Sequence, residues 1–126
     1  MQVFVTKRLA IALVLVNLVA VCNLGVATAQ TTEEGIANYY SNRFQGRKTA
    51  SGARYDRDKL TAAHKTFPFG TKVRVTNLEN GKSVVVTIND RMRRKNPVVI
   101  DVSRRAAQEL GFVRAGKILV KLEVEK

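Results

Sequence analysis

Few side chains in this sequence can move a proton near neutral pH. His64 is the only histidine, and three of the ten acidic residues stand where a fold could use them. Asp90 sits in Asn89-Asp90-Arg91, directly after the apolar-rich run 84–88, so a rigid strand would project it into a basic loop. An Asx turn that ends the strand is the plainer use of an aspartate there. Asp101, in Ile100-Asp101-Val102-Ser103, either faces a groove or caps the helix that follows. Asp56, in Arg54-Tyr55-Asp56, lies in the polar loop ahead of His64. A carboxyl that gives up one proton and takes back another is the working part of general acid–base catalysis. His64 serves such a site by holding a carboxylate, or it is a structural hydrogen-bonding residue. No second histidine completes a metal-ligand spacing, and the one cysteine is remote, so no metal and no cofactor are expected.

The elements that must hold these groups read mainly as strands. A first strand is expected over 36–40. Residues 41–59 are rich in Gly, Ser and Arg and read as loop. Val73 and Val75 alternate with Lys72, Arg74 and Thr76, and a second run covers 84–88; Asn80-Gly81 between them signals a hairpin, since both residues tolerate positive φ. Residues 98–100 form a short apolar strand. Ser103 is placed to cap a helix over 104–110 that Gly111 stops. Val120, Leu122 and Val124 alternate with Lys121 and Glu123 in a half-buried last strand. Short strands with one small helix predict a compact β-barrel.

The first thirty residues read differently. Lys7 and Arg8 precede the apolar run 9–21, and Ala27-Thr28-Ala29 supplies a small-x-small cleavage pattern, so 1–29 is expected to be a secretory signal peptide. That run is short of the roughly 20 apolar residues a membrane span needs. Cleavage would remove Cys22, whose neighbour Val21 is too large for a lipoprotein site, and leave a domain without disulfides. Residues 30–34 read as a short polar tail and 35–126 as the domain. Lys and Arg outnumber Asp and Glu by 22 to 10. A balance of that kind suits a polyanionic surface or simply solubility. The basic residues are scattered without aromatic interleaving, which argues against nucleic acid.

Several segments taken together resemble the RlpA family: Thr49-Ala50-Ser51-Gly52, Leu60-Thr61-Ala62-Ala63-His64-Lys65-Thr66, Pro68-Phe69-Gly70-Thr71, Val73-Arg74-Val75-Thr76-Asn77-Leu78, Asn89-Asp90-Arg91 and Ile100-Asp101-Val102-Ser103. The resemblance runs from about Gly35 to the end. It implies a mainly β fold, a six-stranded double-psi β-barrel with one or two short helices. It implies a lytic transglycosylase that cuts peptidoglycan glycan strands without water, leaving 1,6-anhydro ends; the leader points to the periplasm or cell envelope, and a small closed barrel suggests a monomer. By that likeness Asp90, His64 and Asp56 are the catalytic residues, Asp56 orienting His64; Asp101, Arg91, Tyr40 and Asn89 bind substrate. Many members carry a further wall-binding domain, which a chain ending at Lys126 is expected to lack. Two departures bear on activity. Ala53 stands where catalytic members often have a glutamate, and Met92-Arg93-Arg94-Lys95 makes the loop after Asp90 strongly basic. Alanine cannot transfer a proton, so a non-catalytic, expansin-like glycan-binding or wall-loosening module is the alternative.

Overall fold

The computed structural model describes residues 31–126; the expected signal peptide and Cys22 lie outside the described residues. The strands are β1 (Thr32–Tyr39), β2 (Thr61–His64), β3 (Lys72–Asn77), β4 (Ser83–Arg91), β5 (Ile100–Val102) and β6 (Ile118–Val124), with one helix, α1 (Arg104–Leu110), and a single 3₁₀ turn at Asn42–Phe44. They close into a barrel in the order β1-β5-β2-β4-β3-β6. The pairs β1–β5 and β2–β4 are parallel, and the others are antiparallel. Closure leaves no strand edge without a partner, which suits a domain with no disulfide.

Alternation fills the interior. Val73 and Val75 on β3, Val84, Val86 and Ile88 on β4, Ile100 and Val102 on β5, and Val120 and Leu122 on β6 all point inward and are buried. β-Branched residues dominate because their stiff side chains pack well on a pleated face. Helix α1 closes one side with Ala106, Ala107 and Leu110. Its ends follow the sequence signals: the Ser103 hydroxyl accepts from the Ala106 amide, and Gly111 takes the left-handed conformation at φ 78°. Asn77 and Asn80 both donate from Nδ2 to the Leu110 carbonyl, at 2.9 and 3.0 Å, tying the helix end to the β3–β4 loop.

Two boundaries differ from the sequence reading. The first strand begins at Thr32, so the polar tail is largely strand: antiparallel pairing with β6, Thr32 with Glu123 through Ala37 with Ile118, satisfies its backbone despite polar side chains. The strand at 98–100 begins only at Ile100. The β3–β4 connection, residues 78–82, carries the expected Asn80-Gly81 turn. Gly81 alone has positive φ, and Asn77 and Asn80 accept from the amides of Glu79 and Lys82 through their side chains.

Gly35 permits a close crossing, for a Cβ built there would lie 2.3 Å from Val99 Cγ1, just ahead of β5. Gly35→Ala is therefore expected to destabilise the domain by about 1–3 kcal/mol through overpacking. Adding Val99→Ala should recover at least half of the loss, which urea unfolding of the single and double variants measures.

Candidate active site

Four adjacent strands place one residue each in a single row on the outer face of the barrel. Asn38 on β1 registers with Asp101 on β5, Asp101 with Ala63 on β2, and Ala63 with Asp90 on β4. Register partners project from the same face of a sheet. Ala63 is the smallest side chain that could stand between the two aspartates without a glycine's loss of backbone order.

Asp90 reaches this face through a bulge. Ala62 pairs with Ile88 and Ala63 with Asp90, so Asn89 is an extra residue on β4 without a partner on β2. Val84, Val86 and Ile88 all point into the core, and unbroken alternation would send Asp90 after them. The extra residue turns it outward. Its carboxylate then collects three donors: the Tyr40 hydroxyl at 2.6 Å to Oδ2, and the amides of Ala50 and Arg91 at 2.9 and 2.8 Å to Oδ1. Tyr40 stacks on Tyr55 with ring centroids 4.4 Å apart, and Phe44 meets it edge-on. Burial, followed by the hydrogen bond to Asp90, holds the Tyr40 phenol well above its ordinary range, so it donates and does not ionise.

Asp101 is the complementary group. Burial first and the Asp90 charge second raise its pKa to about 6. It lines a cleft of about 550 Å³ together with Asn38, Tyr39, Ser41, Ala115, Gly116 and Lys117. The Tyr39 hydroxyl donates to the Val113 carbonyl at 2.8 Å, anchoring the loop that carries Lys117. Two carboxylates thus share one face in unlike settings, one richly hydrogen-bonded and one desolvated. Such contrasts separate an ionised partner from a proton donor.

The remaining sequence candidates go elsewhere. His64 is buried, with Nε2 2.9 Å from Glu33 Oε1, while Nδ1 accepts from the amides of Thr66 and Phe67. Both ring nitrogens are thereby engaged, and the ring stacks on Phe67 at 3.7 Å; it holds neither Asp90 nor Asp56. Accepting two amides at Nδ1 fixes the Nε2–H tautomer, which donates to Glu33. Asp56 accepts from the Asp58 amide in an Asx turn, so it does not orient His64. Arg91 donates from Nη1 to the carbonyls of His64 and Phe67 and lies over the Phe69 ring, bracing the 64–67 turn. Tyr40 is too enclosed to offer a ring face to a ligand. Asn89 contributes the bulge and its carbonyl, which accepts from the Ser51 amide. Ala53 is exposed beyond the tip of a small hairpin, where its carbonyl accepts from both the amide and the hydroxyl of Thr49. Sequence reasoning missed Asn38, Tyr55 and Lys117, because only the β1–β5 pairing and the loop packing bring them to the site.

A basic rim borders the site. Arg93, Arg94 and Lys95 are exposed in the loop after β4, and Arg43 and Arg47 lie against the Phe44 ring at 5.1 and 5.5 Å. Among the described residues none of these five makes an ion pair. Met92 packs with Phe44, Tyr40 and Tyr55, so the two basic segments share one apolar base beside Asp90.

Residues 32–122 match the profile of a family described as lytic transglycolase. The endolytic peptidoglycan transglycosylase RlpA of Neisseria meningitidis is 54% identical over 95 residues, which cover 75% of this chain and 40% of that protein. Its namesake in Pseudomonas aeruginosa is 49% identical over 89 residues, 71% of this chain and 26% of the relative. That of Campylobacter jejuni is 42% identical over 99 residues, 79% and 36% respectively. The chain spans less than half the length of these relatives. Among solved structures, the apo expansin of Clavibacter michiganensis superposes with a TM-score of 0.61 at 24% identity, over 76% of this chain and 51% of the expansin. The Streptomyces papain inhibitor does so with a TM-score of 0.62 at 21% identity, over 76% and 96%. At those identities the likeness is one of fold, the double-psi β-barrel.

The elevated Asp101 pKa has a consequence for stability. Because the folded pKa lies above the unfolded value of 3.8, ionisation costs the folded state, and stability falls as pH rises from about 4 to about 6. Asp101→Asn removes that charge and should raise stability at pH 8 by about 2–3 kcal/mol, with the gain vanishing near pH 3.5. Chemical denaturation of both proteins at the two pH values measures it.

Proposed function

This chain belongs to the lytic transglycolase family, and on that premise we propose that it cleaves peptidoglycan glycan strands non-hydrolytically, between N-acetylmuramic acid and N-acetylglucosamine. The observation that carries the reading is the outward row in which Asp101 and Asp90 flank Ala63, with burial raising the Asp101 pKa to about 6. Asp101 gives its proton to the bridging oxygen as the bond to the muramyl C1 breaks. The positive charge that develops at C1 is met by Asp90, which Tyr40 and two amides hold in place. The Asp101 carboxylate then takes the proton of the muramyl sugar's own C6 hydroxyl, whose oxygen bonds to C1 and closes the anhydro ring. One carboxyl serves as acid and then as base, and no water enters. With alanine at position 53, both proton transfers fall to Asp101. A substrate of this kind lies outside the cytoplasm, which agrees with the leader expected over 1–29.

Digestion of purified, peptide-free strands followed by mass spectrometry tests the reaction. The protein should yield 1,6-anhydromuramyl ends. Asp101→Asn should abolish them, and Asp90→Asn should reduce them at least 100-fold, the scale of losing an acid catalyst or its electrostatic partner. Above about pH 6 the rate should fall roughly tenfold per unit as Asp101 ionises. Intact strands, or reducing ends formed with water, would refute the assignment.

The basic rim supplies long-range attraction to an anionic wall. Replacing Arg93, Arg94 and Lys95 together with serine should weaken sedimentation with purified cell walls, more at low salt than at high, because screening already silences these charges at about 1 M. Equal binding at both ionic strengths would assign the charges to solubility alone.

A further inference from the structure

Among the described residues, two buried side-chain polar atoms have no hydrogen-bond partner: Asn38 Oδ1 and Asp101 Oδ1. They belong to register partners on adjacent parallel strands, and both residues line the same cleft. Two buried acceptors left without a donor, on residues that are register partners, are unfavourable in a desolvated place. Either of two changes repairs the pair. A protonated Asp101 donates to the Asn38 carbonyl, or the Asn38 amide turns over and donates N–H to an ionised Asp101. A terminal amide offers both faces, acceptor on one side and donor on the other, and its last torsion is roughly two-fold.

We propose that Asn38 is a positioning residue for Asp101, its amide turning over so that the carboxyl keeps one partner in both its acid and its base forms. The inference rests on the reading of Asp101 as the group that alternates between those forms. The other charged and titratable groups facing Asp101 cannot alternate in this way. Asp90 on β4 is an acceptor that only adds charge. Tyr40, at the end of β1, has its proton committed to Asp90. Tyr55, from the loop ahead of β2, has its hydroxyl at the Arg104 amide and makes no hydrogen bond to Asp101. Lys117, ahead of β6, is a donor only. The β2 neighbour is Ala63, which has no polar atom to offer.

The test is an NMR titration of the Asp101 carboxyl carbon in the full chain, assigned with Asp101→Asn, together with pH–rate profiles on glycan strands. Asn38→Leu removes the donor that the ionised carboxyl needs. It should move the Asp101 midpoint upward by about one pH unit and lower kcat about tenfold or more, with KM within about twofold. Asn38→Ser restores a single group that both donates and accepts, so midpoint and kcat should return most of the way. If Asn38→Leu does not fold, Asn38→Ala reads the same midpoint. An unmoved midpoint in the apolar variant, or a serine variant that behaves like leucine, overturns the proposal. If the midpoint moves as expected while even the unaltered protein forms no anhydro ends, the pairing stands and the transglycosylase reading falls.

Discussion

One extra residue on β4 determines what kind of surface this barrel presents. The inward column Val84, Val86, Ile88 leads by strict alternation to Asp90, and a carboxylate at the next inward position would sit in the apolar interior without a partner. Such a burial is among the most unfavourable a small domain can contain. The bulge at Asn89 moves Asp90 to the outside, level with Ala63 and Asp101, and within reach of the Tyr40 hydroxyl and two backbone amides. The residual strain is placed on Asp101. Buried, and with the Asp90 charge on the next strand but one, Asp101 holds its proton to a higher pH than an exposed aspartate does. The row is therefore a compromise, in which one acid collects three hydrogen bonds and its neighbour collects none at its buried oxygen.

What was legible in the sequence is what short-range chemistry determines. The β3–β4 hairpin, the capped helix and the last strand depend on alternation, Asn-Gly and a Ser–Gly pair of caps, all of which act within a few residues. The start of β1 was not legible, because Thr32, Glu33 and Glu34 have no strand character of their own and are held by β6 from the far end of the domain. Asp90 and Asp101 could be named as candidates from their positions at strand ends. Their adjacency could not, since it needs the parallel β2–β4 pairing and the bulge, which no local pattern encodes. His64 shows the opposite failure. A lone histidine in a familiar motif invited a catalytic role, yet burial and two amide donors make it a peg that fastens β2 to β1 through Glu33.

The same loops that build the site also charge its surroundings. Residues 41–59 deliver the Ala50 amide and the Tyr55 ring to the row and carry Arg43 and Arg47 beside it; the segment after Arg91 packs Met92 underneath and exposes three more cations. The apolar cluster of Tyr40, Phe44, Tyr55 and Met92 is thus the common footing of two basic arms. Positive potential there favours the ionised form of nearby acids, against which the burial of Asp101 has to work. The outcome at Asp101 is set by desolvation outweighing distant cations, the usual order when one group is enclosed and the others are bathed in solvent.

The pairing of β1 with β6 has a kinetic consequence. Thr32 meets Glu123 and Ala37 meets Ile118, so the ring closes with strands taken from opposite ends of the domain, and β1 also waits for β5. Contacts of such high sequence separation bring a large loop-closure entropy into the folding barrier and place folding toward the slow end for domains of this size. Until β6 is available to the rest, β1 lacks one neighbour and the interior lacks a wall. β6 is the last of the six strands in chain order, so the ring is completed only when strands from its two ends meet.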